Sequence, residues 1–249
     1  MAGRRLLHSA AFLTAFISVT AGMTGCGNGS DSEPGSSAPA TPPTATSAAP
    51  PAAPSPSKTP PRFRAEIKNV SAADLKHSWR KGCPVSPSGL RMIEMTYWGM
   101  DRKPHEGGKL VVNAKEAKDL VGVFRTLFDK RYPIRRMEPV DVYKGSDFDS
   151  IEADNTSAFN CRAATGSGNW SQHAYGLAID INPCENPYVT AGGKVAHKDC
   201  VKYKNRANRD PGVIHKGDQV VRAFAAIGWG WGGDWSGTKD YQHFSSSGR

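Results

Sequence analysis

The chain reads as an α+β domain, with a small antiparallel sheet flanked by helices. Three observations predict this. Strand-like runs occur at 90–98, 109–112 and 176–181, whereas helical periodicity is confined to 113–130 and 218–227. Strands and helices do not alternate as βαβ repeats. Neither helix is opened by a Rossmann or P-loop glycine pattern.

The N-terminus reads as a targeting segment. Arg4 and Arg5 precede an apolar run from about Ala10 to Ala21, which ends in Met23-Thr24-Gly25-Cys26. A basic start, a short apolar stretch and small residues predict a secretory signal peptide over 1–25. The run is short for a transmembrane helix. Its ending resembles a bacterial lipobox, which implies that Cys26 is lipidated. The chain is then expected to be exported and held on the outer face of the cytoplasmic membrane, facing the wall.

Residues 26–62 form a linker. Ten of the 18 prolines fall between 27 and 62, with no aromatic residue and no aliphatic one larger than Ala. Such a segment cannot bury enough apolar surface to offset its ordering entropy. In an extended, Pro-rich form it reaches on the order of 100 Å.

One domain is expected over 63–249, with 28 Lys and Arg against 21 Asp and Glu. That surplus suits an anionic wall surface. The charges are spread out and form no recognition motif, so nucleic acid is not expected as a partner. We expect a monomer.

Five cysteines are present, and lipidation of Cys26 leaves four in an oxidising compartment. Three pairings are possible. We favour Cys184–Cys200, closing a short loop worth about 3 kcal/mol by the chain-entropy model, with Cys83–Cys161 as the longer staple. No Cys-x-x-Cys pair suggests a cysteine zinc cluster.

Within the domain, 90–98 and 109–112 read as strands. Asn113-Ala-Lys-Glu116 reads as a capping box. It leads into Leu120, Val121, Phe124, Leu127 and Phe128 on one helical face, ending near Lys130. A strand at 176–181 puts Gly176, Ala178 and Asp180 on one face and Leu177, Ile179 and Ile181 on the other. The small face is expected to floor a site beside the Asp180 carboxylate. The second helix, 218–227, turns Val220, Val221, Phe224 and Ile227 inward and stops at Gly228.

The chemistry gathers at three places. His173 and Asp180 flank the small-faced strand, and His243 follows near the C-terminus. Two His and one Asp make a zinc set with a fourth position left for water, whose pKa such a site lowers to about 7. A carboxylate must still move the proton, and Asp240, three residues before His243, is placed for it. We expect Asp240 just before the strand that carries His243. Asp234 is the competing base, though its Gly/Trp turn suits a structural role. The Trp229, Trp231 and Trp235 cluster reads either as a sugar-stacking surface, for which Trp231 is the candidate, or as core and turn. Ser171 lies in no nucleophile pattern. His77, His105, His197 and His215 lack ligand spacing and read as surface or capping residues.

Ser171-x-His173-x-x-Gly176-x-Ala178-x-Asp180, then Gly230-Trp-Gly-Gly-Asp-Trp235, then Asp240-x-x-His243-Phe244 together resemble the VanY-type D-alanyl-D-alanine carboxypeptidases. This zinc metallopeptidase family also includes L-alanyl-D-glutamate endopeptidases. The resemblance is best over 155–244. It implies one zinc ion on His173, Asp180 and His243, with an acidic base from the last motif. Many members carry Glu where this chain has Asp240. It also implies an Arg before the first ligand, here Arg162, that contacts the substrate or the developing oxyanion. Ser171, Gly176, Ala178 and Trp231 are the candidate substrate-facing residues. The expected activity is hydrolysis of a peptidoglycan stem peptide bond, most simply D-Ala-D-Ala. An L-alanyl-D-glutamate-type endopeptidase and a weakly active wall-binding module are the alternatives. No well-placed carboxylate pair outside the metal set supports a sugar-directed enzyme.

Overall fold

The computed structural model describes residues 60–249. The expected signal peptide, the lipidation site Cys26 and all but the last residues of the linker lie outside them. Three strands, β1 (Ala65–Asn69), β2 (Leu90–Gly99) and β3 (Pro104–Asn113), form an antiparallel meander. Both expected strands are present, and β3 starts earlier than its apolar part because it pairs with β2 as far as Trp98. The short β4 (Pro133–Ile134) adds to β2 in parallel.

Helix α1 (Ala117–Asp129) covers this sheet with Leu120, Val123, Phe124, Leu127 and Phe128 buried, and ends at Lys130. Val121, expected inside, is only partly buried, and Val123 takes the inner place. The expected capping box does not form. Glu116 holds the N-cap position without a side-chain cap bond. Its Oε2 accepts a hydrogen bond from Trp229 Nε1, and the Asn113 amide donates to the Tyr175 carbonyl at 2.9 Å. Tertiary partners take the Asn113 side-chain nitrogen and the Glu116 carboxylate, while Asn113 Oδ1 still accepts from the Lys115 amide at 3.1 Å at the start of the helix.

Next come β5 (Arg136–Met137), α2 (Asp147–Glu152) and β6 (Asn155–Thr156), with β5 and β6 paired in parallel. The chain then adds β7 (Ala178–Asp180), β8 (Tyr188–Val189), α3 (Gln219–Ala225), β9 (Gly230–Trp231), β10 (Lys239–Asp240) and β11 (His243–Ser245). Asp218 caps α3, accepting from the amides of Val220 and Val221, and Gly228 follows at φ +80 as the expected stop.

The second sheet is antiparallel in the order β7-β11-β9. Behind it lies the main core, where Phe244 of β11 stacks on Phe224 of α3 at 4.2 Å and Phe224 meets Phe124 of α1 edge-on. Strand alternation places His243 on the face opposite Phe244. The disulfides pair as favoured, Cys83–Cys161 and Cys184–Cys200. The first ties the segment before β2 to the chain beside Arg162. The second closes the loop that carries β8.

Candidate metal centre and cleft

His173 sits in a tight helical turn, Gln172–Tyr175. Ser171 Oγ caps the turn by accepting from the His173 backbone amide at 3.3 Å, so Ser171 holds the turn that carries the imidazole. Gly176 ends the turn at φ +67, in the left-handed region. A Cβ there would stand 2.6 Å from the Asn113 nitrogen. The close approach is needed because that nitrogen donates to the Gly176 carbonyl at 2.8 Å. The end of β3 thereby holds the turn.

Asp180 lies directly opposite His243 in the β7–β11 pair. On its other side the Asp180 backbone exchanges two hydrogen bonds with Ser157. The three side chains converge in buried surroundings. His173 Nε2 is 3.2 Å from Asp180 Oδ2, His243 Nδ1 is 3.2 Å from Asp180 Oδ1, and the two nitrogens are 3.3 Å apart. Donors about 2.0–2.1 Å from a tetrahedral ion stand about 3.3 Å from one another, so the spacing fits a zinc-sized cation. His173 Nδ1 contacts the Ala158 carbonyl at 2.6 Å. With that nitrogen held by the carbonyl, Nε2 is the atom turned to the cluster. Burial alone would raise the Asp180 carboxyl, but the imidazoles of His173 and His243 outweigh it and hold the group well below the usual carboxylate range. An ionised carboxylate between two inward-facing nitrogens is a donor set for a metal ion, and these residues could hold one.

Asp240 sits on β10, opposite Tyr188 of β8, three residues before the first residue of β11. This meets the expectation that it precedes the His243 strand. Its Oδ1 is buried without a hydrogen-bond partner. Burial first, and the Asp180 charge second, push its carboxyl up to about 7, while His243 and Arg162 pull the other way. A cation on the triad would lower it further. Gly232 makes room for this strand, since a Cβ there would meet the Asp240 carbonyl at 2.4 Å.

The triad and Asp240 line a cleft of about 770 Å³, together with Arg162 and Ser171. Arg162 Nε donates to Asp147 Oδ1 of α2 at 2.8 Å. Other expectations need correction. Gly176 and Ala178 do not floor the cleft, because the strand is only Ala178–Asp180 and Gly176 turns its open side to β3. Ala178 is fully buried beneath the surface. Trp231 is a core residue, stacked near Phe244 with its Nε1 donating to the Tyr241 carbonyl. Asp234 pairs with Lys216 and does not reach the cleft. Sequence reasoning missed Asp147, Phe148, Lys194 and His197, which all line the cleft, and Trp235 of the weighed Trp cluster lines it too. Asp147 and Phe148 come from α2, His197 had been read as a surface residue, and none has a spacing that ties it to the ligands.

Residues 165–246 match a family model described as D-alanyl-D-alanine carboxypeptidase. No curated protein and no solved structure matches the chain. The matched segment contains His173, Asp180, Asp240 and His243, and leaves Arg162 and Asp147 outside it. The part of the chain that builds the candidate metal centre is thus similar to the VanY-like D-alanyl-D-alanine carboxypeptidase family, as the motifs implied.

Proposed function

We propose that this domain is a zinc-dependent peptidase acting on the peptidoglycan stem, most simply a carboxypeptidase of D-alanyl-D-alanine. The observation that carries the reading is the shared cleft. A three-residue donor set with metal spacing opens beside a buried carboxylate whose Oδ1 is unpartnered. A zinc ion on His173, Asp180 and His243 would supply Lewis acidity, polarising the scissile carbonyl and lowering the pKa of a water to about 7.

The chain's own groups do the rest. Asp240 takes the proton of the attacking water at Oδ1 and returns it to the leaving amine. Its burial keeps it from holding the proton too weakly for that return. Arg162 offers a guanidinium to the charge that grows on the carbonyl oxygen, and Asp147 fixes its orientation. Ser171 holds the His173 turn.

The test is incubation of the domain with purified muropeptides, with and without a chelator, read by mass spectrometry. Chelator-sensitive loss of a terminal D-Ala supports the reading, and no loss and no stem cleavage refutes it. An L-alanyl-D-glutamate-type endopeptidase would use the same centre, and the product masses separate the two. We further propose that Cys26 anchors the enzyme to the outer face of the cytoplasmic membrane through the Pro-rich linker. The motif 23–26 supports this, and a diacylglyceryl mass on Cys26 of the mature protein checks it.

A further inference from the structure

One wall of the cleft is the loop between Cys184 and Cys200, which supplies Tyr188, Thr190, Lys194, Val195, Ala196 and His197. The loop is fixed at several points. The disulfide closes its base, and β8 within it pairs with β10, setting Tyr188 opposite Asp240. Thr190 and Lys194 lock its tip: the Thr190 amide donates to the Lys194 carbonyl at 3.0 Å, and the Lys194 amide donates to Thr190 Oγ1 at 3.0 Å. Further on, His197 pairs with Glu152 of α2 and stacks on Phe148.

The basic side chains on the cleft wall are not equivalent. Arg162 is held by Asp147, His197 by Glu152, and Arg249 lies over the Trp235 ring. The Lys194 ammonium has no hydrogen bond or ion pair among the described residues, although its backbone is doubly tied. A positioned cation facing a substrate cleft, with no acidic neighbour of its own, is free to take a carboxylate from the substrate. Val195 and Ala196 beside it line the same wall with apolar surface.

We propose that Lys194 forms a subsite for a substrate carboxylate away from the scissile bond, so that the cleft selects acidic stem peptides over their amidated counterparts. This rests on the peptidase reading above. Because β8 pairs with the strand carrying Asp240, a carboxylate held at Lys194 sets the register of the peptide relative to the proton-handling group. Lys194 is then a specificity-determining residue, acting on binding rather than on chemistry.

The experiment uses two stem peptides ending in D-alanyl-D-alanine. One has a free α-carboxylate on its γ-linked glutamate, and the other has that group as a carboxamide. With zinc-loaded wild-type protein, kcat/KM for the acidic peptide should exceed that for the amide roughly three- to fivefold, the scale of a solvent-exposed ion pair. The difference should lie in KM and shrink in 0.5 M salt. Lys194→Met should abolish the preference, Lys194→Arg should keep it, and Lys194→Glu should reverse it, with kcat on the amide unchanged in all three. Equal kcat/KM for both peptides in the wild type, or a preference that survives Lys194→Met, would overturn the subsite. If the zinc-loaded wild type cleaves neither peptide, the peptidase reading itself fails.

Discussion

Asp180 and His243 face each other across the β7–β11 ladder, with Asp180 Oδ1 3.2 Å from His243 Nδ1. Two residues far apart in the chain are thereby fixed by backbone hydrogen bonds before any ion binds. The third donor, His173, comes from a turn packed on β3 rather than from the sheet. Loss of one donor should therefore damage binding more than folding. Asp180→Asn and His243→Ala should each lower zinc affinity by on the order of a hundredfold or more. Isothermal titration with zinc, beside circular dichroism of the same samples, checks this.

Asp240 has a different kind of role. Asp240→Asn should keep the fold and bind zinc within a fewfold of wild type, yet lose on the order of 10²–10⁴ in kcat. An active D240N protein with full zinc occupancy would remove Asp240 from the proton path.

Gly176 tests how the metal turn is held. Its left-handed backbone and the Asn113 nitrogen 2.6 Å from any Cβ leave no room for a side chain. Gly176→Ala should cost about 1–3 kcal/mol, measured by urea denaturation of the zinc-free protein. A neutral outcome would mean that the turn can leave β3 without loss.

Ala178 reverses an expectation drawn from strand alternation. Because it is fully buried and absent from the cleft wall, Ala178→Leu should overpack the interior and destabilise by about 1–3 kcal/mol. The melting temperature should fall, while the KM of the protein that remains folded stays near wild type.

Glu185 supplies a pH dependence. Burial, then the neighbouring Asp154 carboxylate, push its carboxyl from 4.5 up to about 8, against the pull of Arg135. Its Oε2 is buried without a partner, while Oε1 accepts from Arg135. The folded value lies above the unfolded one, so the folded state keeps a proton that the unfolded chain releases. Stability from this group is full below about pH 4.5, falls as pH rises, and is lost above about pH 8. Glu185→Gln should raise the melting temperature at pH 8.5 more than at pH 5.5, by roughly 2–4 °C for each kcal/mol relieved. Equal effects at the two pH values would rule out a proton on Glu185.

Without showing β1 or α2, the sequence by itself determined the fold class, helices α1 and α3, strands β2 and β3 of the meander and the order of the donor residues. These are local signals. Apolar periodicity at 3.6 and 2.0 residues survives any tertiary arrangement, and the helix stops at Lys130 and Gly228 are written in single positions. The motifs also named His173, Asp180, Asp240 and His243, because ligand chemistry admits few residue types.

Only the tertiary structure decided which surfaces those elements turn to the cleft. Alternation placed Gly176 and Ala178 beside Asp180, but the chain leaves strand geometry before Ala178, so the small face never becomes a floor. Asn113 and Glu116 have the composition of a capping box, but only Asn113 Oδ1 serves the helix start, accepting from the Lys115 amide, while the Asn113 side-chain nitrogen and Glu116 bond Tyr175 and Trp229. Lys194, His197 and Asp147 are distant in sequence from the ligands they accompany. They reach the cleft because a disulfide, a two-residue strand pair and a short helix bring them there, and none of those long-range contacts leaves a periodic trace in the chain.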